Sequence, residues 1–408
     1  MHRYQEMVTG RDEVCYQNLF MSVSANMLRA QQPFNLVTAG LERKMNGLVR
    51  PAEERDITHI ANLQERLLGK GNKTASSSLR NSLMTIIMEN PWRNPSMPSL
   101  VYEESDGKLT GFLGVVPRPM SFNGRMITVA TSHSFVVEPG SRSTLAALKL
   151  IKTYLSGPQD LSVAEGNNTG RRVWEGLGGS MSLLYSLCWT RPLQPTQYAL
   201  SFLKRRGLPA VVTSSLQQLC KLVDSSPLVR RGPFKLAEPR VSAEELDVQI
   251  ICKNFQNLCL GQSLMPAYEE RSLGWLLEML EQKAKRQGIR KVLLRNTDQE
   301  IIGWYLYGLT ATGAWKVIQM VAKQDSVNNV LDHLFYQARQ DGAVAISGFM
   351  EPRFFQALAT RDCLFRHDGA STWMLIHSKD QEILQAFHEG KAVISRLDGE
   401  WWISFLVE

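Results

Sequence analysis

Residues 125–150 read RMITVATSHSFVVEPGSRSTLAALKL, an alternating run that breaks at Pro139-Gly140 and resumes with a different period. Over 125–138 residues of like character return every second position, the period of a strand with two unlike faces. Beyond the break Leu145, Leu148, Ile151 and Leu155 form one stripe, which predicts a helix stopping at Gly157-Pro158. A strand that turns directly into a helix presents backbone N–H donors and the positive helix end together, a natural seat for an anion.

Working outward, residues 99–103 and 109–117 also read as strands. They are set apart by Ser105-Asp106-Gly107-Lys108, and Asn123-Gly124 then marks a hairpin into 125–138. Upstream, Ile57, Ile60, Leu63 and Leu67 predict a helix over 52–68, and a second over 78–90 ends at Asn90-Pro91. Downstream come a strand over 161–165, a helix over 169–177, Gly178-Gly179 and a strand over 182–189. Residues 190–238 are broken by Arg191-Pro192 and Ser225-Ser226-Pro227 and read as a connector with two short helical patterns. After Pro239 the order returns: helices 242–258 and 270–287, strands 291–296, 300–309 and 314–322, helix 326–340, strand 344–348, helix 352–360 and strand 371–377. The expected organisation is a leader over 1–47, or a true start at Met45, then a domain over 48–190, a helical connector over 191–238 and a second domain over 239–408.

The length of 408 residues, 44% hydrophobic and 21% charged, suits two compact cores. The net charge of +7 comes from scattered pairs such as Arg171-Arg172. Such pairs fit a solvated face or attraction of a polyanionic small molecule, and no nucleic-acid partner is expected. Six cysteines without a CxxC pair suit reduced thiols, and no histidine joins them at zinc spacing, so no metal is expected. No apolar run reaches the ~18–20 residues of a membrane span, and no cleavable signal is legible, so a cytoplasmic protein is expected. P-loop, dinucleotide and nucleophile-elbow motifs are missing from the sequence.

The order helix, helix, three strands, helix, strand, helix, strand is similar to that of the GNAT superfamily of acyl-CoA N-acyltransferases. Val137-Glu138-Pro139-Gly140-Ser141-Arg142 resembles the family's V-x-P-x-x-R entry to the CoA loop, and Asn167, Trp174 and Gly178-Gly179 resemble its second motif. The likeness covers 48–190 well and 238–378 loosely. It implies an α+β chain of two tandem GNAT-like domains, each a mixed, mostly antiparallel sheet flanked by helices, with a degenerate second copy. It further implies acetyl-CoA or another acyl-CoA as co-substrate, and a primary amine of a small molecule or amino sugar as acceptor. A non-catalytic scaffold and a Fem-like aminoacyl transferase are the alternatives.

Carried over by position, Phe135, Val137, Arg142, Ser143, Thr144, Leu145, Ala146, Asn167 and Trp174 would hold the co-substrate. Leu145 fills the family's glycine position with bulk, and Trp174 stands where a tyrosine usually donates a proton. His133 and Glu165 are the candidate acid and base, against a hydrogen-bonded sheet-margin histidine and a solvated strand end as the plain readings. Tyr185 and His333 are expected to be structural. Arg353 is a candidate for lining a cleft. The turn 398–402 is expected to dock an aromatic edge on the second domain.

Overall fold

The computed structural model describes residues 47–68, 75–140, 143–205, 210–226, 236, 238–284, 288–308, 314–367 and 373–407. The expected leader, Ser141 and Arg142 lie outside them. A short strand β1 (Leu48–Pro51) precedes helices α1 (Ile57–Leu68) and α2 (Ser77–Met84). Ser76 caps α2 by accepting from the Leu79 N–H, and the turn after it ends where the Asn90 side chain donates back to the Ile86 carbonyl. Strands β2 (Leu100–Glu103), β3 (Leu109–Phe122) and β4 (Arg125–Val137) follow. Asn123 and Gly124 both have positive φ, 49° and 82°, as a two-residue hairpin turn requires.

Next come α3 (Ser143–Leu155), β5 (Leu161–Gly166), α4 (Asn168–Gly176), β6 (Ser180–Ser182) and β7 (Leu187–Pro192), then the helical hairpin α5 (Pro195–Arg205) and α6 (Ala210–Ser225). The remainder is β8 (Ser242–Glu245), α7 (Val248–Leu258), β9 (Leu264–Pro266), α8 (Glu270–Lys283), β10 (Ile289–Arg295), β11 (Ile301–Gly308), β12 (Ala314–Ala322) and α9 (Val327–Gln340). β13 (Ala345–Phe349), α10 (Phe355–Ala359), β14 (Leu364–His367), β15 (Trp373–His377), α11 (Gln381–His388) and α12 (Trp401–Val407) complete the chain. The helix expected over 242–258 is thus a strand and then a helix, because Asp247 accepts the Gln249 N–H and starts α7 there.

Two sheets result, both mostly antiparallel and flanked by helices, so the architecture is α+β. The first runs β1-β2-β3-β4-β5-β15-β6, with β9 beside β3, and the second β14-β7-β13-β12-β11-β10-β8. Each has one parallel pair, β4 with β5 and β12 with β13. Read from opposite ends the two orders match, and in each the strand beyond the parallel pair comes from the other half of the sequence. The strand expected over 182–189 divides: a 3-10 turn at Leu184–Ser186 carries the chain out of the first sheet, and β7 joins β13 in the second. Packing drives this, since Trp189 lies edge-on to Phe335 and fills the space beside Gly348, where an added Cβ would be 2.8 Å from the indole. β15 makes the return exchange by pairing with β5.

α3 covers one face of the first sheet, packing Ala146, Leu150 and Tyr154 on Leu113, Ala130 and Val137. α1 and α2 cover the other, around Phe112 and Val136. Between the sheets Val116, Trp304, Phe255 and Trp402 share one core. Through it runs a strap, residues 392–399, buried throughout. On the second sheet the Arg396 N–H donates to the Ile318 carbonyl; on the first, Arg118 on β3 donates to the Leu397 carbonyl. The C-terminal segment therefore touches both sheets rather than the second alone.

Candidate active site

β4 and β5 pair only over Val129↔Leu161, Ala130↔Ser162 and Thr131↔Val163, then separate. Tyr154 of α3 wedges the fork, its hydroxyl 2.6 Å from the Ala130 carbonyl and 3.2 Å from that of Val163. The carboxyl ends of both strands run into helix N-termini, α3 after β4 and α4 after β5, and crevices at such ends are where parallel strands hold ligands.

Just past the fork β4 bulges. Phe112 pairs with Val136 and Gly114 with His133, so Ser134 and Phe135 together oppose Leu113. Ser134 adopts φ +50°, a conformation that L-residues seldom take outside such irregularities. The bulge turns the Ser134 N–H away from the β3 ladder, and it donates to Glu400 Oε1 at 3.1 Å. The Glu400 carboxyl also lies near the Glu165 backbone on β5, which favours its charged form. Desolvation first, and the Glu165 charge second, raise the pKa of the Glu400 carboxyl above the usual carboxylate range. The strap can approach because residue 399 is glycine: a Cβ there would be 3.3 Å from Glu165 Oε1.

His133 takes a different place from the one its sequence position suggests. Only 1% exposed, its ring occupies the space over Gly114, where an added Cβ would be 2.2 Å away, and stands edge-on to Phe112. Nδ1 is 3.2 Å from Ser134 Oγ, and Nε2 has no partner among the described residues. Burial pushes its pKa down to about 3, which leaves a neutral ring that is a poor proton acceptor. Glu165 ends β5 beside Glu400, so the plain reading of a solvated strand end does not describe it.

Of the residues expected to hold a co-substrate, Ser143 opens α3 and its hydroxyl donates to the Gly140 carbonyl at 2.8 Å. Thr144 and Leu145 are half-buried in the first turn, where backbone N–H groups lack helical partners, and Ala146 is buried beneath it. Phe135 is half-buried and Val137 buried under α3. Asn167 caps α4, accepting from the Thr169 and Gly170 N–H groups at 3.0 Å each. Trp174 is a core residue: its ring packs beside Gly179 and its Nε1–H donates to the Ile376 carbonyl at 2.9 Å.

The second parallel pair also parts, after Lys316↔Ser347, but Arg396 fills that fork. Its guanidinium donates to the Val317 carbonyl and lies 4.1 Å from the Phe349 ring centre. Arg353, a candidate for lining a cleft, is buried in an ion pair with Glu351 at 2.9 Å. Tyr185 donates to the Ala392 carbonyl and His333 bonds Tyr305, both structural roles. Among the described residues no cluster of metal-ligating side chains occurs, and no helix is long and apolar enough to cross a membrane.

Glu400 is the residue that sequence reasoning missed. The bond to Ser134 joins positions 266 apart, and an acid in a turn before two tryptophans has no local signature.

No family model and no curated protein matches the chain by sequence. Solved structures do match. A conserved protein of unknown function from Enterococcus faecalis V583, a probable N-acyltransferase, aligns over 84% of this chain and 74% of its own at 11% identity and TM-score 0.53. A GCN5-related N-acetyltransferase from Anabaena variabilis ATCC 29413 aligns over 82% and 74% at 12% identity and TM-score 0.53. The fold is that of the GNAT superfamily.

Proposed function

We propose that the chain is an acyltransferase that moves the acyl group of acetyl-CoA, or of another acyl-CoA, to a primary amine of a small molecule such as an amino sugar. The observation that carries the proposal is the Ser134 N–H, released by the β4 bulge into a fork whose rim holds two helix N-termini. Such a donor is what a thioester carbonyl needs as negative charge develops on its oxygen. The first turn of α3, Ser143 to Ala146 with the adjoining Arg142, would take the diphosphate through backbone N–H groups, and Leu145 leaves those groups in place. Phe135, Val137 and Asn167 would border the chain of the co-substrate, and Trp174 would support them from the core. Glu165 and Glu400 are better placed than His133 for proton transfer. Only the first fork would serve, because Arg396 fills the second, and the second sheet reads as a degenerate partner that completes the acceptor cleft. The five free cysteines among the described residues of the chain suit a reducing compartment, and we place the protein in the cytoplasm.

One observation favours a second reading, a non-catalytic scaffold: the Ser134 N–H is already held by Glu400. Thiol release from acetyl-CoA in the presence of a panel of small primary amines, glucosamine among them, separates the two. Amine-dependent release is the expected result. Saturable acetyl-CoA binding with no release for any amine would favour the scaffold.

A further inference from the structure

The donor that the acyl-transfer reading assigns to the thioester oxygen is already engaged. Turned out of the β3 ladder by the bulge, the Ser134 N–H meets Glu400 Oε1 at 3.1 Å. A backbone N–H carries a single hydrogen and makes one strong, directional bond, so a thioester oxygen seated on it must take the place of Oε1. The chain around Glu400 is anchored in a way that lets this side chain leave while the backbone stays. Before it, the Leu397 carbonyl accepts from Arg118 at 2.9 Å and the Asp398 carbonyl from Thr131 Oγ1 at 3.3 Å, while the Asp398 carboxylate is held by Tyr268 and Ser395. After it, the Ile403 and Ser404 N–H groups donate to the Glu400 carbonyl at 3.0 and 3.1 Å and start α12. Asp398 is buried, whereas Glu400 is only partly buried, so water can receive its carboxyl group. The second fork differs in this respect: Arg396, 4% exposed, is bound to the Val317 carbonyl and lies over Phe349. That fork is filled from the core, and the first is closed by a side chain at its margin.

We propose that Glu400 is an autoinhibitory plug, whose carboxyl group occupies the Ser134 N–H in the empty protein and is displaced by the carbonyl oxygen of an acyl-CoA. The inference rests on the acyl-transfer reading above. Because the competitor is tethered, it acts at the high effective concentration of an intramolecular group and raises the ligand concentration needed to fill the site. A thioester oxygen is a neutral acceptor, so breaking the Glu400 contact weakens binding of the substrate. The oxygen of the tetrahedral species is anionic and bonds the same N–H about twice as strongly, so the displacement is offset more fully in the transition state than in the bound substrate. Free CoA has no carbonyl and does not contend with Glu400. In the parent protein acetyl-CoA therefore gains little over free CoA from its carbonyl, and the gain emerges once Glu400 is cut back.

Calorimetric Kd values for acetyl-CoA and for free CoA, measured on the parent, Glu400→Ala and Glu400→Gln, test this. Glu400→Ala should raise the ratio of the free-CoA Kd to the acetyl-CoA Kd about 3- to 10-fold, the worth of one freed hydrogen bond. Glu400→Gln keeps an oxygen in reach of the N–H and should leave the ratio within about twofold of the parent's. Taking the ratio cancels the general effect of removing an acid near a polyanionic ligand. An unchanged ratio in Glu400→Ala, or an equal rise in both variants, overturns the plug. The parent protein supplies a second measurement should Glu400→Ala fail to fold. With its serine nitrogens isotopically labelled, the Ser134 amide resonance, assigned by its absence from Ser134→Ala, should move several-fold further with saturating acetyl-CoA than with saturating free CoA, and equal movement refutes the displacement. If neither ligand binds the parent or Glu400→Ala, the acyl-transfer reading fails and the plug with it. Amine-dependent thiol release with an unchanged ratio leaves that reading standing and removes the plug alone.

Discussion

Replacing Arg118 by Met tests the clamp that holds the strap on the first sheet. Arg118 is 5% exposed on β3, donates to the Leu397 carbonyl at 2.9 Å, pairs with Asp398 at 3.4 Å and lies 4.0 Å over the Trp92 ring. Methionine keeps much of the apolar stem and removes the charge. The Leu397 carbonyl then loses a donor, worth about 1 kcal/mol net. Asp398 keeps Tyr268 at 2.8 Å and the Ser395 N–H and hydroxyl at 2.9 and 2.6 Å, but its buried charge is left without a cation. Breaking a buried pair from one side costs about 3–5 kcal/mol, against roughly 5–15 kcal/mol for the total stability of a folded domain. Urea unfolding followed by tryptophan fluorescence reads this directly, with Trp92 as a reporter beside the mutation. The double variant Arg118→Met/Asp398→Asn removes both charges and should recover at least about 1 kcal/mol of the loss. A single variant within about 1 kcal/mol of the parent would refute the reasoning, as would a double variant that costs the sum of the singles.

Tyr154→Phe keeps the ring in its core and takes the shared donor from the Ala130 and Val163 carbonyls, so urea unfolding should show a loss of about 1–3 kcal/mol. Gly114→Ala drives a methyl into the His133 ring and should cost about 1–3 kcal/mol by the same assay, with most of that restored by adding His133→Ala. Because the His133 pKa is lower folded than unfolded, its contribution is complete above about 6.5 and is lost as pH falls toward about 3, and His133→Gln should flatten that acid limb in unfolding curves recorded across the range. Glu400 has the opposite sign: its folded pKa is raised, so stability falls as pH rises above the ordinary carboxylate range, and Glu400→Gln should remove that decline.

What the sequence shows depends on how local the cause is. The β3–β4 hairpin is legible in Asn123-Gly124 because a two-residue turn is decided by its own φ angles, and α3 is legible because its stripe is continuous. The alternation over 182–189 gives no hint of which sheet will take β7, since that depends on Phe335 and Gly348, far along the chain. β1 and β8, four residues each, are too short to show a period. At the candidate site the motif residues Ser143 to Ala146 and Asn167 can be placed from sequence, and the helix starts they mark are present. The bulge at Ser134 carries no glycine or other marker, and Trp174 reads as a motif aromatic until its N–H is seen to be taken by Ile376. Glu165 could be singled out at the end of a strand, but its partner could not, because only the path of the strap brings Glu400 to it.

Amide hydrogen exchange with and without acetyl-CoA tests the placement of the donor at the β4–β5 fork most directly. The account expects saturable slowing in peptides covering 132–137, 143–147 and 164–170, with no change over 317–322 and 348–350, where Arg396 fills the matching fork. No slowing at saturating acetyl-CoA, or slowing confined to the second fork, would contradict it.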